Sequence, residues 1–307
     1  MPGMCSGSVQ SALHVLYSTM PALPETDRPL IMGILNVTPD SFSDGGLFMD
    51  PDVAAARAAE MVAEGADIID IGGASSRPGG AVYGEGAPLL STSQELSRIL
   101  PVIERLALHH PDFRISVDTF RSDVARAVLA AGAHMLNDIT ALRFDPDMAA
   151  VAAEFDVPIC LMHSVGMPGA MPHTSDETVE SVVAALSHAR TLALNAGARD
   201  VWLDPGFGFG KRVDVNLALI ARVPELVAIG SPVLVGVSRK SSVGAALRPS
   251  FPEDAPVPPP DDRLSGSLAL TALAVMGGAR MVRTHDVKET ADFLRVFCRA
   301  RQHVHTA

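Results

Sequence analysis

The sequence is short of cysteines, of aromatic residues and of cations, and it has no long apolar run. Three cysteines, Cys5, Cys160 and Cys298, lie far apart and form no C-x-x-C pair. They make neither a disulfide framework nor a thiolate zinc site, and they point to a reducing, cytoplasmic setting. Lys and Arg total 24 against 35 Asp and Glu, a formal charge of −11. An acidic chain attracts neither nucleic acid nor an anionic membrane surface, so neither is the expected partner. A small anionic substrate stays compatible if the few cations gather in one place. No apolar run reaches the roughly 20 residues of a membrane span. Residues Met1–Arg28 have neither the basic start nor the apolar centre of a signal peptide. Core material, by contrast, is plentiful. Hydrophobic residues make up 48% of the 307 and charged residues only 19%, which supports a sizeable core and excludes gross disorder. Length alone allows one domain or two.

From residue 30 onward, short apolar or β-branched runs alternate with loops and helical patterns. The runs are Leu30–Val37, Asp67–Ile71, Arg114–Asp118, His134–Ile139, Pro158–His163, Val201–Asp204, Pro232–Ser238 and Arg280–Thr284. Most are apolar at successive positions, as parallel strands covered on both faces require. Between them, Val124, Ala127, Val128 and Ala131 fall at helical spacing, as do Leu268, Thr271, Ala272 and Val275. Val287, Thr290, Ala291, Leu294 and Cys298 extend the pattern at the C-terminal end. Thr119 or Ser122 is the expected start of the first of these helices, and Gly132 its stop. Eight strands alternating with helices predict an α/β protein, a single-domain (β/α)8 TIM barrel, over a doubly wound sheet. A doubly wound sheet usually has five or six strands and a Gly-rich first turn, whereas here that turn reads Asn36-Val37-Thr38-Pro39-Asp40. Residues 1–29 form an N-terminal extension before a barrel spanning 30–302, and 303–307 are a tail. The segment 249–261 holds six prolines and reads as an extended surface connection, and Ser75–Ser91 is a Gly/Pro-rich loop.

A barrel of this kind works at the C-terminal ends of its strands. Those ends carry Asn36, Asp70, Asp118, Asn137 with Asp138, His163, Asp204, the run Ser238-Arg239-Lys240-Ser241, and Arg283 with His285. One polar strand end means little. Eight of eight, several inside apolar runs, require a reason, because burying a polar group is costly. Asp118, Asn137, Asp204 and Lys240 offer fixed donors and acceptors to a flat, nitrogen-rich heterocycle. Arg283, His285 and Arg77 read as a cationic cluster for phosphate, with Asn36 an oxygen ligand for Mg²⁺.

Individual residues have plainer readings. His163 reads equally as a core histidine, and Asp70 as a cap on Gly72 and Gly73. The run Gly206-Phe207-Gly208-Phe209-Gly210 lacks the spacing of a dinucleotide fingerprint and reads as a substrate-facing turn with an exposed Phe. Met148, Met162 and Met276 read as packing residues.

At these residues the sequence resembles the dihydropteroate synthase family of pterin-binding barrels. The matching segments are Met32–Gly46, Asp70–Gly79, Ser116–Thr119, Asn137–Ile139, Leu203–Lys211, Ser238–Ser241, Arg263–Ser267 and Arg283–Asp286. The resemblance implies condensation of 6-hydroxymethyl-7,8-dihydropterin diphosphate with p-aminobenzoate to give 7,8-dihydropteroate and pyrophosphate. It implies pterin contacts from Asp118, Asn137, Asp204, Lys240 and Asp70, and diphosphate and Mg²⁺ contacts from Asn36, Arg77, Arg283 and His285. It further implies a p-aminobenzoate pocket shaped by Ser76, Pro78, Phe209, Lys240 and Ser241, with Asp118, Lys240, Arg283 and Asp70 as the catalytic set. A homodimer is expected on the same ground; the apolar helices around 217–223 and 264–276 read equally as its surface or as cover for the barrel. The chain departs from the family pattern at Ala74, where Glu is usual, and at Ser76, where Thr is usual. The same residues leave two other readings: a methyltransferase of the same superfamily, which has no use for a diphosphate site, and a catalytically silent pterin-binding paralogue.

Overall fold

The computed structural model describes residues 23, 26–38, 50–74, 89–167, 172, 175–248 and 256–303. Eight parallel strands form one sheet: β1 Leu30–Asn36, β2 Ile68–Gly72, β3 Ile115–Asp118, β4 Met135–Asp138, β5 Ile159–Met162, β6 Val201–Asp204, β7 Leu234–Val235 and β8 Met281–Thr284. Their order is β6-β5-β4-β3-β2-β1-β8-β7. A parallel bridge between Leu203 and Val233 joins the two ends, so the sheet closes on itself. The fold is a (β/α)8 TIM barrel.

Among the described residues the helices are α1 Pro51–Glu64, α2 Thr92–His109, α3 Ser122–Ala130, α4 Met148–Phe155, α5 Val179–Asn195, α6 Val213–Ala221, α7 Val223–Val227, α8 Ser241–Leu247, α9 Leu264–Met276 and α10 Val287–Gln302. Local chemistry fixes their ends. Asp50 caps α1 by accepting from the Asp52 N–H, and Pro51 follows at the first helical position. Ser91 with Gln94, and Thr178 with Ser181, make reciprocal capping boxes on α2 and α5. Helix α3 starts at Ser122, whose own hydroxyl caps nothing; its N–H donates to the Asp145 carboxylate, a partner 23 residues away. Gly132 ends that helix with φ +110°, as expected.

Side chains alternate between the two faces of each strand. Ile31, Ile69, Ile115, Val117, Leu136, Leu161, Leu203 and Val235 pack outward under the helices in one large core. Leu30, Met32, Ile68, Met135, Cys160, Trp202, Leu234 and Met281 pack against one another inside the barrel. Leu23 closes the bottom of that inner cluster, so the N-terminal extension caps the floor at this residue. Two strand positions further up, the same inward face carries Asp70, Asn137, Asp204, Gly236 and Arg283.

The strand predictions hold to within one residue at each end, except at Pro232–Ser238, where only Leu234–Val235 is regular strand. The prolyl nitrogen of Pro232 has no N–H to donate to a ladder, and the chain turns at Arg239 with φ +59°. Of the proline-rich segment, 256–259 is irregular and Pro260–Arg263 is a 3₁₀ turn; 249–255 lie outside the described residues. Met148 and Met162 are buried, but Met276 is 63% exposed on α9 and does not pack in the core.

Candidate active site

Strand alternation decides which polar residues enter the barrel mouth. In β4, Met135 is inward, so Asn137 is inward and Asp138 outward. Asp138 is wholly buried and accepts from the Thr140 N–H, the Thr140 hydroxyl and the Leu142 N–H, which makes it a turn-former behind the wall. Asp70 does not cap its own turn. It lies buried on the inward face of β2, where Arg283 Nε from β8 donates to its Oδ2 at 2.6 Å and Asn137 Nδ2 donates to the same oxygen at 3.1 Å. The other arm of Arg283 reaches Asp118 Oδ2 at 3.2 Å. The guanidinium therefore spans the tips of three strands and sits with the carboxylates rather than apart from them. Beside it Gly236 puts no side chain inward; a Cβ there would make an ordinary contact, 3.5 Å from the Arg283 Cβ.

The second half of the mouth is the turn after β6. Asp204 Oδ1 accepts from the Gly206 N–H at 2.7 Å. Gly206 has φ +66°, and a Cβ on it would fall 1.7 Å from the His163 carbonyl oxygen, so only glycine fits. Lys211, deeply buried, ties the turn down by donating to the carbonyls of His163, Gly206 and Phe209. Asn216 accepts from the Gly208 N–H and donates to the Lys211 carbonyl and the Ser242 hydroxyl. Neither phenylalanine of the turn is exposed. Phe207 belongs to the main core, and Phe209 packs with Phe120, Ile139 and Met162 while the Lys240 ammonium stands 3.7 Å from its ring centroid. That cation–π contact aims Lys240 across the mouth.

Burial sets the electrostatics. The Asp118 carboxyl is pushed up to about 7 by burial, with Asp70 and Glu95 adding to the shift and Arg283 and Lys240 opposing it. Burial pushes Asp204 up to about 6 against the Gly206 N–H and the cations. Lys240 is pulled down to about 7 by burial and by Arg283, against Asp204 and Asp118. Burial also lowers Arg283, but Asp70 and Asp118 outweigh it and the guanidinium stays charged. Two buried acceptors, Asp70 Oδ1 and Asn137 Oδ1, have no partner among the described residues. Unpaired acceptors beside a cation offer hydrogen-bond sites to the N–H groups of an incoming ring.

The expected residues divide accordingly. Asp70, Asp118, Asn137, Asp204, Lys240, Arg283 and Phe209 meet at one mouth. His285 stands beside them, its Nδ1 3.1 Å from the Ser238 hydroxyl, which also accepts from the His285 N–H. Burial, with Arg283 and Arg239 nearby, holds His285 down at about 3, so it is a neutral ring and adds no charge to a cationic cluster. Ser241 opens α8 directly after Lys240. Asn36 ends β1, and its amide oxygen lies 3.7 Å from where a Cβ on Gly72 would stand, opposite the Asp118 carboxylate at 4.0 Å. Ser76, Arg77 and Pro78 lie outside the described residues. His163 is a buried neutral histidine, held down at about 3 by burial and by Lys211 and Arg143. Its ring faces Glu177 at 3.9 Å, away from the mouth. Sequence reasoning missed Lys211, Asn216 and the Arg239–Asp286 pair at 2.6 Å, which brace the two turns. The position of Lys211 and Asn216 just after a glycine-rich turn was the available signal.

The chain matches the family described as pterin binding enzyme across residues 32–285. It belongs to that family. A dihydropteroate synthase of Clostridium beijerinckii is 40% identical over 269 residues, covering 86% of this chain and 91% of the relative. The solved dihydropteroate synthase of Yersinia pestis with a sulfonamide drug is 40% identical, with TM-score 0.80 over 91% of this chain and 96% of that one. That of Xanthomonas albilineans with 4-aminobenzoic acid is 42% identical, with TM-score 0.76 over 92% and 94%.

Proposed function

We propose that this chain catalyses the dihydropteroate synthase reaction, a transferase step that joins 6-hydroxymethyl-7,8-dihydropterin diphosphate to p-aminobenzoate. The observation that carries it is the Asp70–Arg283–Asp118 bridge with Asn137, Asp204 and Lys240 around it, in a chain about 40% identical to dihydropteroate synthases along most of its length. In this reading the pterin's amino and ring N–H groups donate to Asp118, Asp204 and the free Asn137 oxygen, and Lys240 donates to a ring acceptor. The carbon–oxygen bond to the diphosphate breaks, its electron pair leaves with the diphosphate, and the arylamine nitrogen supplies the pair for the new carbon–nitrogen bond. The proton lost from nitrogen goes to water. Carboxylates beside the pterin stabilise positive charge on the methylene, and Arg283 faces the departing anion, so catalysis is preorganised electrostatics with no covalent nucleophile.

Mg²⁺ fits this site as a lightly held ion. No cluster of three or more His, Cys, Asp or Glu suited to a metal occurs among the described residues, while the Asn36 amide oxygen faces the mouth as one hard donor. Asn36 would hold the ion together with the substrate's phosphate oxygens and water, and when bound the ion neutralises charge on the leaving diphosphate. By the family resemblance Arg77, with the neutral His285, is assigned to the diphosphate, and Phe209, Ser241, Ser76 and Pro78 to p-aminobenzoate; Ser76, Arg77 and Pro78 lie outside the described residues.

Two further features belong to the same proposal. Leu273 and Met276 on α9, with Val213 on α6, which packs against α9, and Val227 on α7, are exposed apolar residues that support a homodimer. Buried, unpaired Cys160 and free Cys298 suit a cytoplasmic setting; among the described residues no helix is long and apolar enough to cross a membrane. The deciding assay is pyrophosphate release by the purified chain. Release that needs both substrates and Mg²⁺ is expected. A chain that binds pterin yet releases no pyrophosphate under those conditions overturns the enzyme reading.

A further inference from the structure

The buried stripe of α2 runs Glu95, Ile99, Val102, Ile103, Leu106. Four of these are apolar, and the fifth is a carboxylic acid with 1% of its side chain exposed. A buried carboxylate is costly unless charge and hydrogen bonds compensate it. Here compensation is loose. The Arg121 Nε stands 3.6 Å from Glu95 Oε2, and neither Glu95 oxygen, nor the Thr119 hydroxyl, nor the Arg121 Nε closes a hydrogen bond of ordinary geometry. A residue that breaks its own helix pattern without a full set of partners has a reason other than stability.

Its surroundings supply one. Glu95 lies behind the tips of β2 and β3, the two strands whose ends pair Gly72 with Asp118. On the β2 side, a Cβ on Gly73 would fall 3.6 Å from Glu95 Cγ and 2.6 Å from Ile99 Cγ2, so helix and strand tip touch with no side chain between them. On the β3 side, Thr119, the neighbour of Asp118, turns its hydroxyl towards the carboxylate. Two arginines complete the surroundings. Arg98 donates to the Gly73 carbonyl at 2.9 Å, and Arg121 donates to the Leu90 carbonyl at 2.9 Å while its guanidinium lies 5.0 Å from the Phe144 ring centroid. Two further carboxylates face the site: Asp118, whose proton affinity Glu95 raises, and Asp123 on α3, which is engaged by the Thr92 hydroxyl. Glu95 is thus the shared counter-charge of two arginines, one holding the Gly73 carbonyl at the tip of β2 and the other the Leu90 carbonyl just before α2.

We propose that Glu95 is a positioning residue for the pterin site, acting through Thr119, Arg121 and Arg98 to fix the tips of β2 and β3 and so the placement of Asp118. The proposal rests on the pterin reading of the mouth. Glu95 touches no reacting atom; it keeps Arg98 and Arg121 turned inward onto Gly73 and Leu90 and keeps the Asp118–Thr119 step in register with Gly72. The neutral isostere tests it, since Glu95→Gln keeps size and removes the counter-charge. Expected is a rise of about tenfold in the KM for the pterin diphosphate, with the KM for p-aminobenzoate within about twofold of wild type. Glu95→Asp, which keeps the charge, recovers at least part of that loss. A purely structural role would instead lower the amount of active protein and leave both KM values alone, or raise them together. An unchanged pterin KM in a folded Glu95→Gln overturns the proposal, as does an equal rise in both. If Glu95→Gln does not fold, Thr119→Val carries the test: a selective rise in pterin KM supports the role, and no change contradicts it. Wild-type turnover measured in parallel separates a failure of this role from a failure of the reaction itself.

Discussion

The floor and the mouth of this barrel lie on the same inward face of the same strands, two residues apart, and they are opposites. Ile68, Met135, Trp202 and Met281 fill the floor, while Asp70, Asn137, Asp204 and Arg283 line the mouth. Two residues of strand span about 7 Å. Over that distance the barrel changes from packing that stabilises the fold to buried charge that works against it. The floor is apolar throughout, except that the Trp202 indole N–H closes no hydrogen bond of ordinary geometry among the described residues. The mouth keeps unpartnered acceptors on Asp70 and Asn137 and carboxyls pushed upward by burial. A fold carries such a layer where a ligand, not the protein, completes the hydrogen bonds.

Substitutions on the two levels are therefore expected to separate activity from stability. The largest effect is expected at the mouth. Asp118→Asn should lower kcat/KM by about 10³-fold, close to 4 kcal/mol of transition-state stabilisation, with little change in thermal midpoint; steady-state kinetics and calorimetry check both. Next comes the floor. Leu234→Ala removes a fully buried side chain and should destabilise by about 3 kcal/mol in denaturant titrations, while kcat of the folded protein stays near wild type.

A smaller effect concerns pH. Asp118 at about 7 and Asp204 at about 6 take up protons as pH falls and then stop accepting from the pterin, whereas Lys240, pulled down to about 7, loses its charge as pH rises. The kcat/KM profile for the pterin substrate should be a bell, falling about tenfold per unit on the alkaline limb and, once both carboxyls are protonated below about pH 6, about a hundredfold per unit on the acid limb. A flat profile from pH 5 to 9 would mean that these groups do not titrate in the free protein. The smallest effect sharpens the border between the levels. Gly236→Ala places a methyl 3.5 Å from Arg283 Cβ, an ordinary contact, so activity should fall only severalfold. Gly236→Val should cost distinctly more, by pushing the guanidinium off Asp70 and Asp118.

Much of this contrast was legible before any coordinates. Strand positions followed from apolar runs covered on both faces, and Asn137, Asp204 and Arg283 stood out as polar residues ending them. Counting inward positions by two from Met135 separates Asn137 from Asp138, a distinction that strand-end position alone does not make. Other features depend on tertiary neighbours. Phe209 reads as exposed in a glycine-rich turn until Lys240, 31 residues later, is laid over its ring. His285 reads as a cation until burial beside Arg283 neutralises it. Glu95 reads as an ordinary acidic residue in a helix's first turn, where it suits the dipole. Only the neighbouring strand tips show that it faces inward.

The separation of levels is tested most directly at Asp204, where Asn keeps the oxygen that accepts from Gly206 and removes only the charge. The raised carboxyl means that the folded state binds a proton more readily than the unfolded one. The buried charge therefore lowers stability at high pH, and this penalty fades as pH falls through about 6. The measurement is thermal unfolding of wild type and Asp204→Asn at pH 8 and pH 5, paired with calorimetric titration of a pterin at pH 8. The account predicts a midpoint for Asp204→Asn at pH 8 equal to or above wild type, an advantage that shrinks by pH 5, and pterin affinity at least tenfold weaker. A lower midpoint at pH 8 with pterin affinity retained would contradict it.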